Sequence, residues 1–287
     1  MSFKDLLKNS LKNKLNEKEL ENLPSGYQAL NNICIVNLNK KVLRYKKEIG
    51  KKILELFPRF IAVYNKKDVI KGVFRKPQLE FLAGNKKIKE VKIIENNCIY
   101  CFDFKKIMFA KGNINERIRI AKCVNTEEII VDMFAGIGYF SIPIGKFSYA
   151  KKIYSIELNP LSFKYLKKNI ELNKIKNIEP IFGDNRKIIK KLKKENILVD
   201  RIIMGYLPPP KKFFKYALLI IKNKGIIHYE TLLNKKNLKR EIEKNLKELK
   251  EIALKKNKKV ELIKVNYVKS YKPHINHYTL DIQVFNI

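Results

Sequence analysis

The segment "VDMFAGIGYFSIPI" carries an aspartate, Asp132, at the end of an apolar run, then two glycines, Gly136 and Gly138, in a turn of small residues. Such a turn lets backbone approach a ligand closely, and the helix that follows offers N–H groups without partners. The next apolar run, "YSIELNP", ends in Glu157, about twenty residues on, where a carboxylate can reach ribose hydroxyls. A third, "IFGDN", brings Asp184 and Asn185, and a carboxylate here can accept from an adenine amino group. A fourth, "DRIIMGYLPPP", closes on Met204, Gly205 and Tyr206 before Pro208, Pro209 and Pro210.

These residues need a scaffold that gathers strand ends. From Thr126 onward the pattern alternates, with strands predicted at Ile129–Phe134, Lys152–Ile156, Ile178–Phe182, Arg201–Met204 and Gly225–Tyr229 and helical periodicity between them. That alternation predicts a mostly parallel sheet with helices on both faces, and in such sheets ligands bind beyond the carboxyl ends of the strands. A Lys/Glu-rich helix, Lys235–Lys256, then leads to two strands, Val260–Val268 and His277–Phe285, placed to close the sheet as an antiparallel hairpin. The pattern lacks G-x-G-x-x-G, because Ser141 stands three residues after Gly138, and it lacks G-x-x-x-x-G-K-[ST]. An S-adenosylmethionine site therefore fits better than a dinucleotide or phosphate-tail site.

The preceding residues read as a smaller α+β domain, which places the domain boundary at 1–105 and 106–287. A first helix with Leu6, Leu7, Leu11 and Leu15 on one side is followed by a strand at Ile33–Leu38, a helix over Val42–Phe57, a strand in "RFIAVY", and further strands in "GVFRKPQLEFLAG" and "KEVKIIENNCIYCFDF". Cys98 and Cys101 lie three apart on a predicted strand and point to opposite faces, so they are read as reduced structural thiols and no metal is expected. Upstream of the glycine turn, Lys106, Lys111, Arg117 and Arg119 surround a turn at Gly112-Asn113. This is either a loop over the cofactor, with Arg117 gripping an anionic group, or a basic surface turn entering a helix. His228, at the end of the fifth strand, is read as a core histidine ahead of a general base.

Lys and Arg number 62 against 28 Asp and Glu, a formal net charge of +34. Lysine-rich composition bias does not explain that imbalance, whereas a polyanionic partner does, with nucleic acid ahead of a membrane surface. The N-terminus lacks a signal-peptide core and no apolar run can span a bilayer, so a soluble cytoplasmic protein is expected.

The ordered set "FDFKKIMFAKGNINERIRIA", "VDMFAGIGYFSIPI", "DRIIMGY", "GIIHYE" and "VKSYKPHINHYTLDIQVF" resembles the archaeal tRNA wybutosine-synthesis aminocarboxypropyltransferases, sisters of the tRNA guanine-N1 methyltransferases. The methyltransferase sisters carry Asn-Leu-Pro at the fourth strand end, and the aminocarboxypropyl branch carries Met-Gly-Tyr, as here. The resemblance implies a class I S-adenosylmethionine-dependent, Rossmann-like α/β domain with the N-terminal domain contacting tRNA. It implies transfer of the 3-amino-3-carboxypropyl group to C7 of 4-demethylwyosine beside the anticodon of tRNA(Phe), with methylthioadenosine released. The alternative is methylation of guanosine or a wyosine precursor by the same fold. Expected cofactor contacts are Ala110, Arg117, Asp132, Phe134, Gly136, Gly138, Glu157, Asp184 and Asn185. Expected catalytic residues are Arg117, Met204, Gly205 and Tyr206. Ala110 stands where relatives often have serine, which puts one cofactor contact in doubt. A monomer without metal is expected.

Overall fold

The computed structural model describes residues 1–67, 76–207 and 209–287. The chain divides into two compact units, Met1–Ile93 with Cys101–Phe109, and Ile94–Tyr100 with Ala110–Ile287.

In the first unit, α1 (Phe3–Leu11) starts at a capping box. The Ser2 hydroxyl accepts from the Asp5 N–H, and the Asp5 carboxylate accepts from the Ser2 N–H at 3.0 Å. Leu7, Leu11 and Leu15 are buried, as the spacing predicted, and Leu6 is only partly so. After α2 (Glu17–Leu20) come β1 (Tyr27–Leu30) and β2 (Ile33–Val36), joined by a tight turn in which Asn31 takes φ +53°. The sequence reading missed β1, since four residues of mixed polarity give too short a pattern. The helix expected over Val42–Phe57 opens as a 3-10 stretch, Lys40–Tyr45, before α3 (Lys46–Leu56). Strands β3 (Ala62–Lys66) and β4 (Leu79–Gly84) complete a sheet ordered β1-β2-β3-β4. Of the strand expected in "GVFRKPQLEFLAG", residues 72–75 lie outside the described residues. Strands β5 (Glu90–Glu95) and β6 (Cys98–Asp103), whose residues 94–100 count with the second unit, form a two-stranded ribbon across a turn where Asn96 and Asn97 both have positive φ, the mirror-image geometry that suits strand twist. Cys98 and Cys101 are buried in β6, and burial pushes the Cys98 thiol up to about 11.

The second unit runs α4 (Ile114–Lys122), β7 (Ile129–Asp132), α5 (Ser141–Phe147), β8 (Lys152–Glu157), α6 (Pro160–Leu172), β9 (Ile178–Phe182), α7 (Asn185–Lys194), β10 (Val199–Met204), α8 (Lys211–Ala217), β11 (Ile221–Asn234), α9 (Leu238–Leu254), β12 (Lys258–Lys272) and β13 (Ile275–Asn286). Its sheet is ordered β12-β13-β11-β10-β7-β8-β9, with β11 to β9 parallel and β13 antiparallel to both neighbours. The expected hairpin therefore does close one edge. β11 and the hairpin strands run longer than predicted; in β11 the added residues include buried polar ones, Glu230 and Thr231, which carry no apolar signal.

Strand alternation gives the two sheet faces different chemistry. One turns Val131, Ile202, Met204, Ile227, Tyr229, Leu280 and Ile282 into an apolar core with Ile189, Phe214, Leu249 and Ala253 from α7, α8 and α9. The other turns Asp132, Arg201, His228 and Asp281 toward α4 and α5, where polar side chains bond to them. Chain order reverses between β7 and β10, and that switch point opens the crevice in which ligands bind in sheets of this kind.

Candidate active site

The loop leaving β7 is fixed by two carboxylates. Asp132 is fully buried and accepts from Ser141 Oγ at 2.7 Å and from the Phe134 N–H at 3.3 Å, while Ser155 Oγ donates to Ser141 Oγ at 2.7 Å. Burial pushes the Asp132 carboxyl up to about 7. The bonds from Ser141 and Phe134 only partly offset it, and the nearby Glu157 and Glu230 add to the rise. Glu157, at the end of β8, accepts from the Gly136 N–H at 2.7 Å and the Asn159 N–H at 2.6 Å. Burial raises its carboxyl as well, against the pull of those backbone donors.

Both glycines earlier read as making room for a ligand have positive φ, +59° at Gly136 and +97° at Gly138. A side chain at Gly136 would strike the Tyr139 ring at 2.7 Å, and one at Gly138 would strike Ile142 at 2.6 Å. The glycines are thus required by the turn and by helix packing before any ligand arrives.

At the end of β9 the two expected cofactor residues differ in the hydrogen-bonding capacity they have left. The Asp184 carboxylate caps α7 through the Arg186 N–H at 2.9 Å and holds the Arg186 guanidinium, so its acceptors are already engaged. Asn185 is buried and donates through Nδ2 to the Met133 carbonyl at 2.9 Å. Its Oδ1 is buried with no hydrogen-bond partner among the described residues. An adenine amino group would satisfy that atom, so Asn185 fits the role better than Asp184. Leu158, 46% exposed, and Phe182, 52% exposed, stand at the same strand ends and offer apolar surface. The sequence could not single them out, since an apolar residue ending a strand is ordinarily core.

Arg117 lies inside the fold. Its guanidinium is 2% exposed, donates to Glu95 Oε1 at 2.5 Å and to the Ala110 carbonyl at 2.9 Å, and lies 4.9 Å from the centre of the Tyr139 ring. It already holds a carboxylate from its own chain, and it ties Ala110 to α4. A brace buried to this degree is not a basic surface turn.

At the fourth strand end the three residues separate. Met204 is fully buried in the apolar core, with its carbonyl accepting from the Tyr206 N–H at 3.0 Å. Gly205 faces Phe140, whose ring would lie 2.6 Å from an added Cβ. Tyr206 lies just beyond the end of β10. It is half-buried, stacked on Phe134 at 5.1 Å and 22°, with Phe213 edge-on to both rings. Phe213, absent from the sequence-derived set, carries Arg186 and Lys212 over its face. Pro208 lies outside the described residues, and Pro210 precedes α8.

His228 is excluded as a free base by its neighbours. Arg201 Nη1 donates to Nε2 at 2.8 Å, so Nδ1 carries the proton toward Asp281 Oδ1 at 2.6 Å. Burial lowers the pKa of His228 and keeps it neutral. Burial disfavours the Asp281 carboxylate, but hydrogen bonds from His228 and Arg119 outweigh that and hold it at about 2. Glu128, Arg201, His228, Asp281, Arg119 and Glu116 form one continuous chain of bonds, buried except at Arg119, that fastens α4 to the sheet.

The family model of the TRM5/TYW2 methyltransferase domain matches residues 90–263, and that of the TYW2 N-terminal domain matches residues 7–87. The chain is similar to the tRNA(Phe) (4-demethylwyosine(37)-C(7)) aminocarboxypropyltransferase of Methanocaldococcus jannaschii, 39% identical over 89% of this chain and 96% of the relative. It is 34% identical to the enzyme of the same description from Pyrococcus horikoshii, over 99% of this chain and 98% of that one. The crystal structure of P. horikoshii TYW2 in complex with MeSAdo superposes with a TM-score of 0.81 at 30% identity, covering 99% of this chain and all of that one (100%). With a seven-stranded sheet of this order, a crevice lined by acids and amides at its carboxyl edge, and both family models matched in sequence order, the chain belongs to the TRM5/TYW2 family of S-adenosylmethionine-dependent tRNA-modifying enzymes.

Proposed function

We infer that the protein transfers the 3-amino-3-carboxypropyl group of S-adenosylmethionine to C7 of 4-demethylwyosine beside the anticodon of tRNA(Phe). The observation that carries this is colinearity over nearly the whole chain, N-terminal module included, with two enzymes of that description. S-adenosylmethionine supplies a sulfonium with three carbons open to displacement, and selection of the methionine γ-carbon is a matter of positioning. Glu157 accepts from the ribose hydroxyls while bracing the glycine turn. Asn185 accepts from the adenine amino group through its unsatisfied oxygen. Asp132 holds the loop through Ser141 and Phe134, and Arg117 holds Ala110 against α4. Tyr206, stacked on Phe134, provides a flat surface for the tricyclic base, which stacks on aromatic rings as nucleobases do. Residues 1–105 contact the tRNA and 106–287 carry the chemistry, in a monomer working in the cytoplasm. Among the described residues no helix is long and apolar enough to cross a membrane, and no His, Cys, Asp and Glu group could hold a metal ion.

Incubation with S-adenosylmethionine labelled in the carboxyl group, and with precursor-bearing tRNA(Phe), should place the label in RNA. A parallel reaction labelled in the methyl group should leave its label in methylthioadenosine. Methyl label in the RNA would overturn the reading in favour of methylation.

A further inference from the structure

The polar face of the sheet divides into two parts with opposite bonding. Toward the middle, Arg201, His228, Asp281 and Asn266 are all bonded, with Asn266 Nδ2 donating to Asp281 at 3.0 Å. One step nearer the carboxyl edge the bonding stops. Glu230 pairs across the strands with Thr279, and Leu232 with His277. Glu230 is 2% exposed, and His277 and Thr279 are fully buried. Glu230 Oε2 faces His277 Nε2 at 2.8 Å, yet Glu230 Oε1, Thr279 Oγ1 and His277 Nδ1 have no hydrogen-bond partner among the described residues. Buried polar atoms are nearly always paired, so a cluster of three calls for a missing partner.

The place and the chemistry of that partner both follow. Met204 pairs with Tyr229, so Glu230 lies one residue beyond, beside Gly205, and it is close enough to act electrostatically on Asp132. The cluster therefore borders the reaction edge. The unpartnered atoms include a carboxylate oxygen, which only accepts, beside a hydroxyl and an imidazole nitrogen that can accept, and with Glu157 and Asp132 the edge gathers carboxyl groups. Acceptors in such a field require a cation with several N–H donors, which describes a primary ammonium.

We propose that Glu230, supported by Thr279 and His277, holds the α-ammonium of the amino-acid chain of S-adenosylmethionine and so fixes the position of its γ-carbon. The assignment rests on the transferase reading above. Glu230 is a positioning residue, acting on the group to be transferred and not on the bonds that change.

Calorimetry on the full chain with three nucleosides tests this: S-adenosylhomocysteine, its analogue with hydrogen in place of the α-ammonium, and methylthioadenosine. Wild-type protein should bind S-adenosylhomocysteine at least tenfold more tightly than the deaminated analogue. Glu230→Gln should erase that preference by weakening S-adenosylhomocysteine alone. Thr279→Val, of matching shape, should reduce the preference in the same direction and serves as the second arm if Glu230→Gln fails to fold. Equal loss for all three ligands, or no loss for any, makes the cluster structural and overturns the assignment. Failure of wild-type protein to bind any of the three would instead overturn the transferase reading on which it rests.

Discussion

Asp132 and Glu157 border the same crevice, but their surroundings give them different work. Glu157 takes two backbone N–H bonds and remains half-buried, so it can brace the loop and still meet a ligand. Removing it as Glu157→Ala deletes charge-assisted bonds worth about 1.5–3 kcal/mol each. Calorimetric affinity for S-adenosylmethionine should fall at least tenfold. Because the Gly136 N–H also loses its acceptor, the ligand-free melting temperature should drop slightly as well. Asp132 has no solvent contact, and its pKa rises from the ordinary 3.8 to about 7. The folded protein therefore holds a proton there that the unfolded chain releases, so this carboxyl's contribution to stability falls as pH rises through that window and levels off above it. Asp132→Asn cannot titrate. Urea unfolding from pH 4.5 to 8 should show the wild type losing stability relative to Asp132→Asn by at least about 1 kcal/mol. A constant difference would mean that Asp132 ionises freely in its buried site.

At the scale of elements, the loops around the crevice are held by packing and by ion pairs from their own chain. Arg117 joins α4 to Glu95 and to Ala110, and breaking a buried pair of this kind leaves a charge without compensation, at a cost of about 3–5 kcal/mol. Arg117→Gln should lower stability by that order in denaturant titrations, where a surface ligand-gripping arginine would lower affinity alone. Gly205 is held by Phe140 in the same way. Gly205→Ala should cost about 1–3 kcal/mol by overpacking, and adding Phe140→Leu should recover part of the loss in thermal melts. No recovery would show that the backbone at Gly205, and not the ring, sets the limit. These two positions mark where the sequence stopped being informative. Strand ends and glycine turns were legible because periodicity and spacing are local, so Asp132, Gly136, Gly138, Glu157 and Asn185 fall together at one edge as expected. The packing partners of Arg117 and Gly205, Glu95 and Phe140, are set by tertiary structure and leave no local trace in the sequence. Glu230 and Phe213 were passed over because nothing local distinguishes them from other strand and helix residues. β1 was missed because four residues carry too little alternation to stand out.

At the scale of the molecule, charge is the dominant fact. Even if each of the 28 acids paired with a base, the formal net charge of +34 would remain. Several of those acids are committed inside the fold with arginines of their own, Glu95 with Arg117, Glu128 with Arg201 and Asp281 with Arg119, so these internal pairs leave the excess of positive charge undiminished. Such a surface attracts a polyanion by releasing its condensed counterions, so binding weakens as salt is added. The logarithm of tRNA affinity should fall linearly with the logarithm of salt, with a slope of about −0.9 for each duplex phosphate neutralised. The crevice contributes differently. Tyr206, Phe134 and Phe213 engage the base by stacking, which salt hardly touches. Tyr206→Ala should therefore lower affinity by about 1–3 kcal/mol at every salt concentration and leave the slope unchanged. Filter-binding titrations of wild type and variant across a salt series separate the two contributions. A slope that changes with Tyr206→Ala would mean that the ring organises phosphate contacts instead of stacking on a base. A wild-type slope near zero would mean that the excess lysines reflect composition and do not hold the RNA.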